Sequence, residues 1–427
     1  MREAASVENQ TEFAFGQEER KALLLEDVSP RKADPADHLR VGNAMVVHEV
    51  RKALARKEFR QNSANQWPIA QLHRSRGNAQ LLPPMEIAPE ELERMQDAMA
   101  AMCRKLSDLD ADILDALSSI YLERARSPQD IVKSSVNELL RLRGLRPKSS
   151  GKDHWGSRLG GYASKQRSSI RESLNHIENV WITFQAPRLS SKSRAADEIQ
   201  TRCFVVTDRR GRKLIDGSVD FGEFLFRPGY FYGLFLLGPW KQEALLAAKA
   251  LNYDPIRQNW EKRIARYLSW HWRIRASGSA YFQPFRVKTL LDEVGTVPEE
   301  RPGRIRSRFE TCLDRLREDE VISDWTYIDW PPLFLKIVKD WKDDWYDAKI
   351  VIGPPDRIRD HYAETGKRVP ATAIGERIRI AREAKGQSIL SAAAETDIPP
   401  DKLNKFEIGR ELPSKTEGKR LDKWFAC

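Results

Sequence analysis

Apolar residues recur at the three- and four-residue spacing of helices along much of this chain, and short alternating runs interrupt them. In the first half this pattern predicts three helices, near residues 111–124, 135–143 and 162–178. The third has its apolar stripe at Ile170, Leu174 and Ile177. Strand-like runs follow at 180–184 and 203–207, and the basic segment 208–212 is predicted to be a turn.

The same order of elements is predicted a second time. Helices are expected at 258–274, 285–294 and 304–318, and Gly295 is the expected cap of the second. The first carries an inward stripe of Trp260, Ile264, Leu268 and Trp272, and the third one of Phe309, Leu313 and Leu316. Strands are predicted at 321–327 and 348–352. This recurrence indicates a repeat, which is clearer in the order of elements than in the residues.

Three helices followed by a strand, a basic turn and a strand are the order of a winged helix. In such a module the third helix enters the major groove and the wing contacts phosphates. Two modules of this kind in a basic chain resemble the plasmid-type replication initiators, which bind repeated origin sites through two winged helices. The resemblance implies a fold and a function, and it assigns no role to an individual residue.

Residues 374–425 are predicted to form several short helices joined by tight turns. Gly386 interrupts the first apolar run, and Pro399-Pro400 opens a later helix, because the first turn of a helix tolerates proline. The stretch resembles a helix-turn-helix domain of the lambda-repressor/Cro type at Gly386, Ser388, Ala393, Ile398, Leu403, Phe406, Glu407, Gly409 and Pro413. It departs from the family pattern at Ile389, Ala392 and Asp397. The resemblance implies an all-α DNA-binding domain whose recognition helix buries Leu403 and Phe406.

These patterns predict a mainly α fold with small β-wings, which is an α+β chain. Two tandem winged-helix-like modules precede an all-α helix-turn-helix domain. The predicted organisation is a flexible N-terminal region at 1–85, modules at 86–245 and 246–355, a linker at 356–372 and the helix-turn-helix domain at 373–427. A helix near 39–60 is the candidate partner-binding element of the flexible region.

The net positive charge of the chain indicates that its partner is a polyanion. The 427 residues carry a formal net charge of +10 and have a pI near 9.3, which favours nucleic acid. Residues 141–175 are the most basic interval, with nine Lys or Arg against two acids. Residues 372–427 hold eleven Lys or Arg against nine acids, so most of the excess charge lies upstream of the helix-turn-helix.

The candidate DNA contacts are cationic or polar residues of the third helices, the basic turn and the helix-turn-helix. In the winged-helix-like modules they are Lys165, Arg167, Arg171, Arg209, Arg210, Arg212, Arg304, Arg306 and Arg308. In the C-terminal domain they are Gln387, Ser388, Pro400, Asp401, Lys402, Asn404 and Lys405. Asn404 is expected to read a base, because Asn can bond both edge atoms of adenine. Lys402 and Lys405 are expected to bind phosphates.

Motifs that would indicate an enzyme are missing from the sequence. The four cysteines Cys103, Cys203, Cys312 and Cys427 are too widely spaced for a zinc ribbon or a disulfide framework, and they indicate reduced thiols. The sequence has neither a metal-binding H-E-x-x-H motif nor a phosphate-binding G-x-x-x-x-G-K-[ST] loop. His271-Trp272-Arg273 has the spacing H-x-R, whereas tyrosine recombinases have H-x-x-R. No enzymatic activity, cofactor or metal is therefore expected.

The leading hypothesis is a sequence-specific double-stranded DNA-binding protein that initiates replication of a plasmid or mobile element. A transcriptional regulator acting through 373–427 is one alternative, and a diverged DNA recombinase or nuclease is the other. A second copy of the chain and the replication or transcription machinery are candidate partners. The sequence shows no signal peptide and no apolar run of about 18 residues, so a cytoplasmic location at a nucleoid or plasmid, and no membrane, are expected.

Overall fold

The computed structural model describes residues 38–62, 65–83, 89–148, 161–185, 198–213, 219–296, 301–328, 330, 341–365 and 373–426. The chain is α+β, and its strands form small antiparallel sheets. The helices of the described residues are α1 (Met45–Arg56), α2 (Leu92–Lys105), α3 (Asp108–Arg124), α4 (Val136–Leu142), α5 (Ser164–Glu178), α6 (Tyr230–Leu236), α7 (Lys249–Asn252), α8 (Asn259–Ala276), α9 (Val287–Val294), α10 (Pro302–Glu318), α11 (Trp341–Asp347), α12 (Asp356–Thr365), α13 (Ala373–Ala384), α14 (Ile389–Thr396), α15 (Pro400–Glu407) and α16 (Lys415–Ala426).

The strands of the same residues are β1 (His38–Gly42), β2 (Arg60–Asn62), β3 (Asn65–Leu72), β4 (Gly77–Leu81), β5 (Val132–Ser135), β6 (Val180–Gln185), β7 (Glu198–Arg202), β8 (Phe204–Lys213), β9 (Val219–Pro228), β10 (Glu243–Ala247), β11 (Phe285–Arg286), β12 (Asp324–Tyr327) and β13 (Lys349–Gly353). They form four sheets, with the orders β1-β10, β2-β3-β4-β6-β7, β5-β9-β8 and β11-β13-β12.

Module 1 consists of α3, β5, α4, α5, β8 and β9 in chain order. Ser107 caps α3, since its Oγ accepts from the Leu109 amide while Asp110 accepts from the Ser107 amide. The predicted stripe of α5 is confirmed, because Ile170, Leu174 and Ile177 are buried. The sheet places β9 between β5 and β8, and β8 and β9 form the wing hairpin.

Module 2 consists of α8, β11, α9, α10, β12 and β13 in the same order, with α11 inserted before the last strand. Its sheet again places the last strand between the other two. The predicted strand at 348–352 is confirmed by β13, which pairs with β12. Gly295 ends α9 with a φ of 72°, as its predicted capping role requires. The predicted recurrence of elements is therefore present as a shared sheet topology.

Two strand predictions in module 1 are corrected. The run 180–184 is a strand, but β6 pairs with β4 and β7 in the five-stranded sheet and takes no part in the wing. The basic segment 208–212 is not a turn, because it lies within β8, opposite β9. The residues between β8 and β9 are outside the described part of the chain.

The predicted flexible region and linker are also corrected where the structure describes them. Helix α1 packs in the main core with Val50, Ala53 and Leu54 fully buried, and β1 pairs with β10. The predicted boundary at 245/246 falls inside β10. Residues 356–365 form α12, which buries Ile358. Residues 1–37 and 366–372 lie outside the described residues.

A buried ionic network joins the two modules. Asp108, Asp112 and Asp115 lie at i, i+4 and i+7 on one face of α3 and meet Lys262, Arg263 and Arg266 of α8. Lys262 and Asp112 are fully buried, and the ammonium lies 2.9 Å from the carboxylate and donates to the Ala250 and Leu251 carbonyls. Burial lowers the pKa of Lys262 to about 8, although Asp112 opposes this shift. The network fixes α8 against α3 and so fixes one module against the other.

Helices α13 to α16 form the C-terminal domain, which has its own small core. Leu403 and Phe406 are buried in it, as predicted, together with Ile378, Ile398 and, from α16, Leu421 and Trp424. The turn between α14 and α15 has Asp397 in the left-handed conformation, with a φ of 55°, which Asp tolerates. The four helices and the tight turn agree with the predicted all-α organisation.

Candidate nucleic-acid interface

The face of α5 opposite its buried stripe carries two of the three predicted cations of this helix in accessible positions. Lys165 is exposed and Arg167 is partly exposed. The Nε atom of Arg167 is buried and has no hydrogen-bond partner among the described residues. Arg171 differs, because its Nε donates to the Phe221 carbonyl at 2.7 Å and its guanidinium pairs with Asp220. Arg171 therefore attaches α5 to wing strand β9.

Wing strand β8 carries a row of exposed arginines. Arg209 pairs with Glu178 at the end of α5 and stacks on Phe221, with its guanidinium 5.3 Å from the ring centroid. Burial raises the pKa of Glu178, against the effect of Arg209. Arg210 lies 3.4 Å from Glu223. Arg212 is exposed and forms no ion pair with any residue that the structure describes. Of these three arginines, two are therefore held by acids and Arg212 has no ion-pair partner among the described residues.

Helix α10 of module 2 separates the three predicted arginines into two faces. Arg304 is exposed and forms no ion pair or hydrogen bond through its side chain within the described part of the chain. Arg308 lies on the same face, stacks on Trp260 at 4.2 Å and donates to the Asn259 side chain at 3.0 Å. Arg306 points elsewhere, pairing with Glu310 at 2.9 Å and approaching Trp341.

Arginines outside the predicted set extend the Arg304 face. Arg315 follows Arg308 by seven residues on α10 and lies 2.9 Å from Glu261 of α8. Arg257, just before α8, lines the same cleft between the two helices. The spacing of Arg304, Arg308 and Arg315 is a signal in the sequence that identifies Arg315. No sequence pattern identifies Arg257, because its place depends on how α8 packs on α10.

The predicted contacts at the start of α14 bond within the chain. Ser388 caps α14 by accepting from the Ser391 amide at 3.1 Å, and its hydroxyl donates to Asp324 at 2.9 Å. Asp324 is the first residue of β12 in module 2. The Gln387 side-chain amide donates to Glu395 at 2.6 Å. Ser388 therefore faces module 2 in this structure.

Two residues of α15 that were predicted to contact DNA are also hydrogen-bonded to other parts of the chain. Asp401 accepts from the Phe282 amide at 2.8 Å, in the loop after α8. Asn404 is fully buried, and its Oδ1 accepts from Arg359 of α12 at 2.6 Å. The expectation that Asn404 reads a base is corrected by this burial, since a side chain without exposed surface cannot reach a base edge.

Lys402, Lys405 and Pro400 remain at the partly exposed surface of α15. Lys402 pairs with Glu417 at 2.5 Å and lies 3.7 Å from Glu411, which also lies 3.9 Å from Lys405. The pairing with Glu417 raises the pKa of Lys402. These two lysines thus have local acidic partners, unlike Arg304.

A buried charge cluster supports the C-terminal domain from α12. Arg382 of α13 lies 2.7 Å from Glu407 and 2.6 Å from Asp356, and Arg359 pairs with both acids. The four side chains balance in charge, so their burial is compensated. The pKa of Asp356 is lowered by the two arginines, which outweigh its burial. The cluster explains why 356–365 is a packed helix in place of a linker.

Within the described residues, no group of His, Cys, Asp or Glu side chains is arranged to hold a metal ion. No helix in that part of the chain combines the length and apolar character needed to cross a membrane.

No protein-family model matches the chain, and no curated protein matches it. Among solved structures, two that resemble it contain domains of RctB. One is the crystal structure of RctB domains 2–3, with 12% identity and a TM-score of 0.36 over 60% of this chain and 85% of that chain. The other is a selenomethionine derivative of domains 2 and 3 of RctB, with 13% identity and a TM-score of 0.34 over 62% and 85% of the two chains. At these TM-scores the likeness adds nothing to the case made by the chain's own residues.

Proposed function

We propose that the chain is a non-enzymatic, sequence-specific double-stranded DNA-binding protein that initiates replication of a plasmid or another mobile element. The repeated topology of the two modules supports this proposal most directly. In each module the third helix buries an apolar stripe and turns cations outward, in the position from which a winged helix contacts the major groove. The proposed location is the cytoplasm, at a nucleoid or plasmid.

The two modules, and not the C-terminal domain, are the proposed reading heads. Lys165 and Arg304 extend from the third helices without ion pairs to the described residues, so they are available to phosphates. Asp401 and Asn404 are bonded to other parts of the chain. These bonds weigh against the alternative of a regulator that reads DNA through residues 373–427 alone.

A selection from random duplexes tests sequence-specific binding. The full chain is expected to enrich a repeated motif, and footprinting is expected to protect that motif. Affinity is expected to fall linearly on a log–log plot against salt concentration, because bound phosphates release counterions. Equal affinity for the enriched and the random duplexes overturns the proposal.

A replication assay tests the initiator part separately. A plasmid that carries the enriched repeats and this gene, and no other initiator, is expected to be maintained in a host cell. The matched plasmid with Arg304→Gln and Arg308→Gln is expected to be lost. If the protein binds the repeats but the plasmid is lost with the unchanged gene, the chain is a DNA-binding protein without initiator function.

A further inference from the structure

Several arginines line the cleft between α8 and α10, the third helix of module 2. The cleft encloses about 380 Å³. Its lining residues include Arg257, Arg304, Arg308 and Arg315, and Glu261 is the one acid that the described residues contribute to it. Glu261 is already bound to Arg315, so the cleft retains a surplus of positive charge.

Three arginines of this cleft lie in one stripe of α10. Arg304, Arg308 and Arg315 follow one another by four and seven residues, which keeps them on one helix face. Thr311 lies between them on the same face and is exposed. The opposite face holds Phe309 and Leu313 in the core. The charge of the stripe is therefore directed into the cleft and away from the core.

Two of the four arginines are held rigidly, and two have free guanidinium groups. Arg308 is fixed by Trp260 and Asn259, and Arg315 by Glu261. The side chains of Arg257 and Arg304 make no hydrogen bond or ion pair with the residues that the structure describes. The backbone under Arg257 is nevertheless ordered, because the Asp254 carboxylate accepts from the Arg257 amide at 2.8 Å.

We propose that this cleft binds one phosphate group of the DNA backbone and thereby fixes the position of α10 on the duplex. This proposal rests on the proposed function. Arg257 and Arg304 supply the charge-assisted hydrogen bonds, and Arg308 and Arg315 hold the positive field around them. A contact to phosphate carries no sequence information, so the cleft sets position and affinity but not base preference.

The test compares two full-length double variants of equal charge. Arg257→Gln with Arg304→Gln removes the free cations of the cleft. Arg94→Gln with Arg104→Gln is the matched control, because both arginines are exposed on α2, outside both modules. Thermal unfolding of both variants is expected to match that of the unchanged chain, since the four side chains are exposed.

The cleft variant is expected to lose affinity on the order of tenfold for its selected duplex and for random duplex alike, the loss of about one charge-assisted hydrogen bond. Its slope of log affinity against log salt is expected to fall by about 0.9, the value of one phosphate contact. The enriched motif is expected to stay the same. The control variant is expected to show neither change.

Neutralising single phosphates locates the contact directly. In a set of duplexes that each carry one methylphosphonate, one position is expected to weaken the unchanged chain but not the cleft variant. If the salt slope of the cleft variant is unchanged, or if no such position is found, the proposed phosphate site in the cleft is overturned, and the proposal that the chain binds DNA stands. The unchanged chain could instead bind inorganic diphosphate tightly, and the cleft variant could lose this binding while its duplex binding stays the same. That result overturns the proposed DNA contact in favour of a site for free anions. No duplex binding by the unchanged chain overturns the proposed function as well.

Discussion

Module 2 and the C-terminal domain each present two helices followed by a third, but they use the third helix differently. In α10, Arg304 extends freely into a cleft on the outer face. In α15, Asp401 bonds to the loop after α8 and Asn404 bonds to Arg359. The comparison shows that a helix-turn-helix pattern in sequence identifies a fold, whereas the partners of its polar side chains decide whether the helix is available to DNA.

The two regions also differ in how they are attached. Module 2 is joined to module 1 through buried ions, of which Asp112 and Lys262 have no exposed surface. The C-terminal domain meets the rest of the chain through hydrogen bonds of partly buried side chains, such as Ser388 with Asp324 and Arg410 with Ser279 at 2.6 Å, and through Ile389 and Leu390, which are buried with the main core. Disturbing the first attachment is therefore expected to affect the whole fold, and disturbing the second to affect one domain.

The largest effect is expected from Asp112→Asn. This change leaves Lys262 and Arg266 facing each other without their shared carboxylate, and breaking a buried ion pair in this way costs about 3–5 kcal/mol. Urea unfolding measures the loss. Asp314→Asn is the matched control, because Asp314 is partly exposed beside Arg317 and an exposed pair contributes about 1 kcal/mol or less. Equal stability of the two variants would mean that the network does not hold the modules together.

The pH dependence of stability tests the same attachment. Burial lowers the folded-state pKa of Lys262 to about 8, whereas an unfolded lysine titrates near 10.4. Between these values the unfolded chain binds more protons, so this group makes the free energy of unfolding rise with pH, by on the order of 3 kcal/mol. In Lys262→Met this contribution to the rise is expected to disappear. Urea unfolding at pH 7 to 10 gives the two slopes, and identical slopes contradict the shift.

Matched double variants compare the two third helices in DNA binding. Arg304→Gln with Arg308→Gln is expected to weaken duplex binding on the order of tenfold, because Arg304 is the residue of this pair that we propose donates to phosphate, whereas Arg308 only adds positive charge beside it. Lys402→Gln with Lys405→Gln removes the same charge from α15 and is expected to weaken it less than about threefold, because Glu417 and Glu411 already pair with these lysines. Fluorescence anisotropy measures the duplex affinity of both double variants. If the α15 variant lost more affinity than the α10 variant, α15 would be the main DNA-reading helix.

The smallest effect on DNA recognition is expected from Asn404→Ala. The change removes the acceptor of the buried Arg359 guanidinium and is expected to cost about 1–3 kcal/mol in stability. The selected DNA motif is expected to stay unchanged, because Asn404 is buried. Unfolding and a repeated duplex selection measure the two effects. If the selected motif changes while stability does not, Asn404 contacts a base, and α15 would then be available to DNA as α10 is.

Local patterns predicted the helices well and the partners of strands less well. The stripes of α5, α8 and α10 are apolar at helical spacing, and burial follows directly from that spacing. The strand signal at 180–184 was correct, but its partner β4 lies about a hundred residues earlier in the chain. A strand's own residues do not encode such a distant pairing, so the run was assigned to the wrong sheet.

Charged residues that are buried in pairs carry no signal of their burial in the sequence. Arg359 and Arg382 look like surface residues in sequence, and nothing in the segment 356–372, which contains Arg359, contradicts its prediction as a linker. Their partners Asp356 and Glu407 compensate for burial, which only the packed fold reveals. Asn404 was misassigned for the same reason. The three aspartates of α3, in contrast, stand at one helical spacing and could have been recognised as a cluster.

The ionic network between α3 and α8 has a consequence for the geometry of the target. Because it locks the two modules together, the separation between the two DNA segments that we propose they contact would be set by the protein and not by a flexible tether. B-DNA turns once in about 10–10.5 base pairs, so adding half a turn between the two segments carries one of them to the far side of the duplex. The protein would then measure helical phase: five added base pairs should separate the two contacts, and ten should restore their alignment.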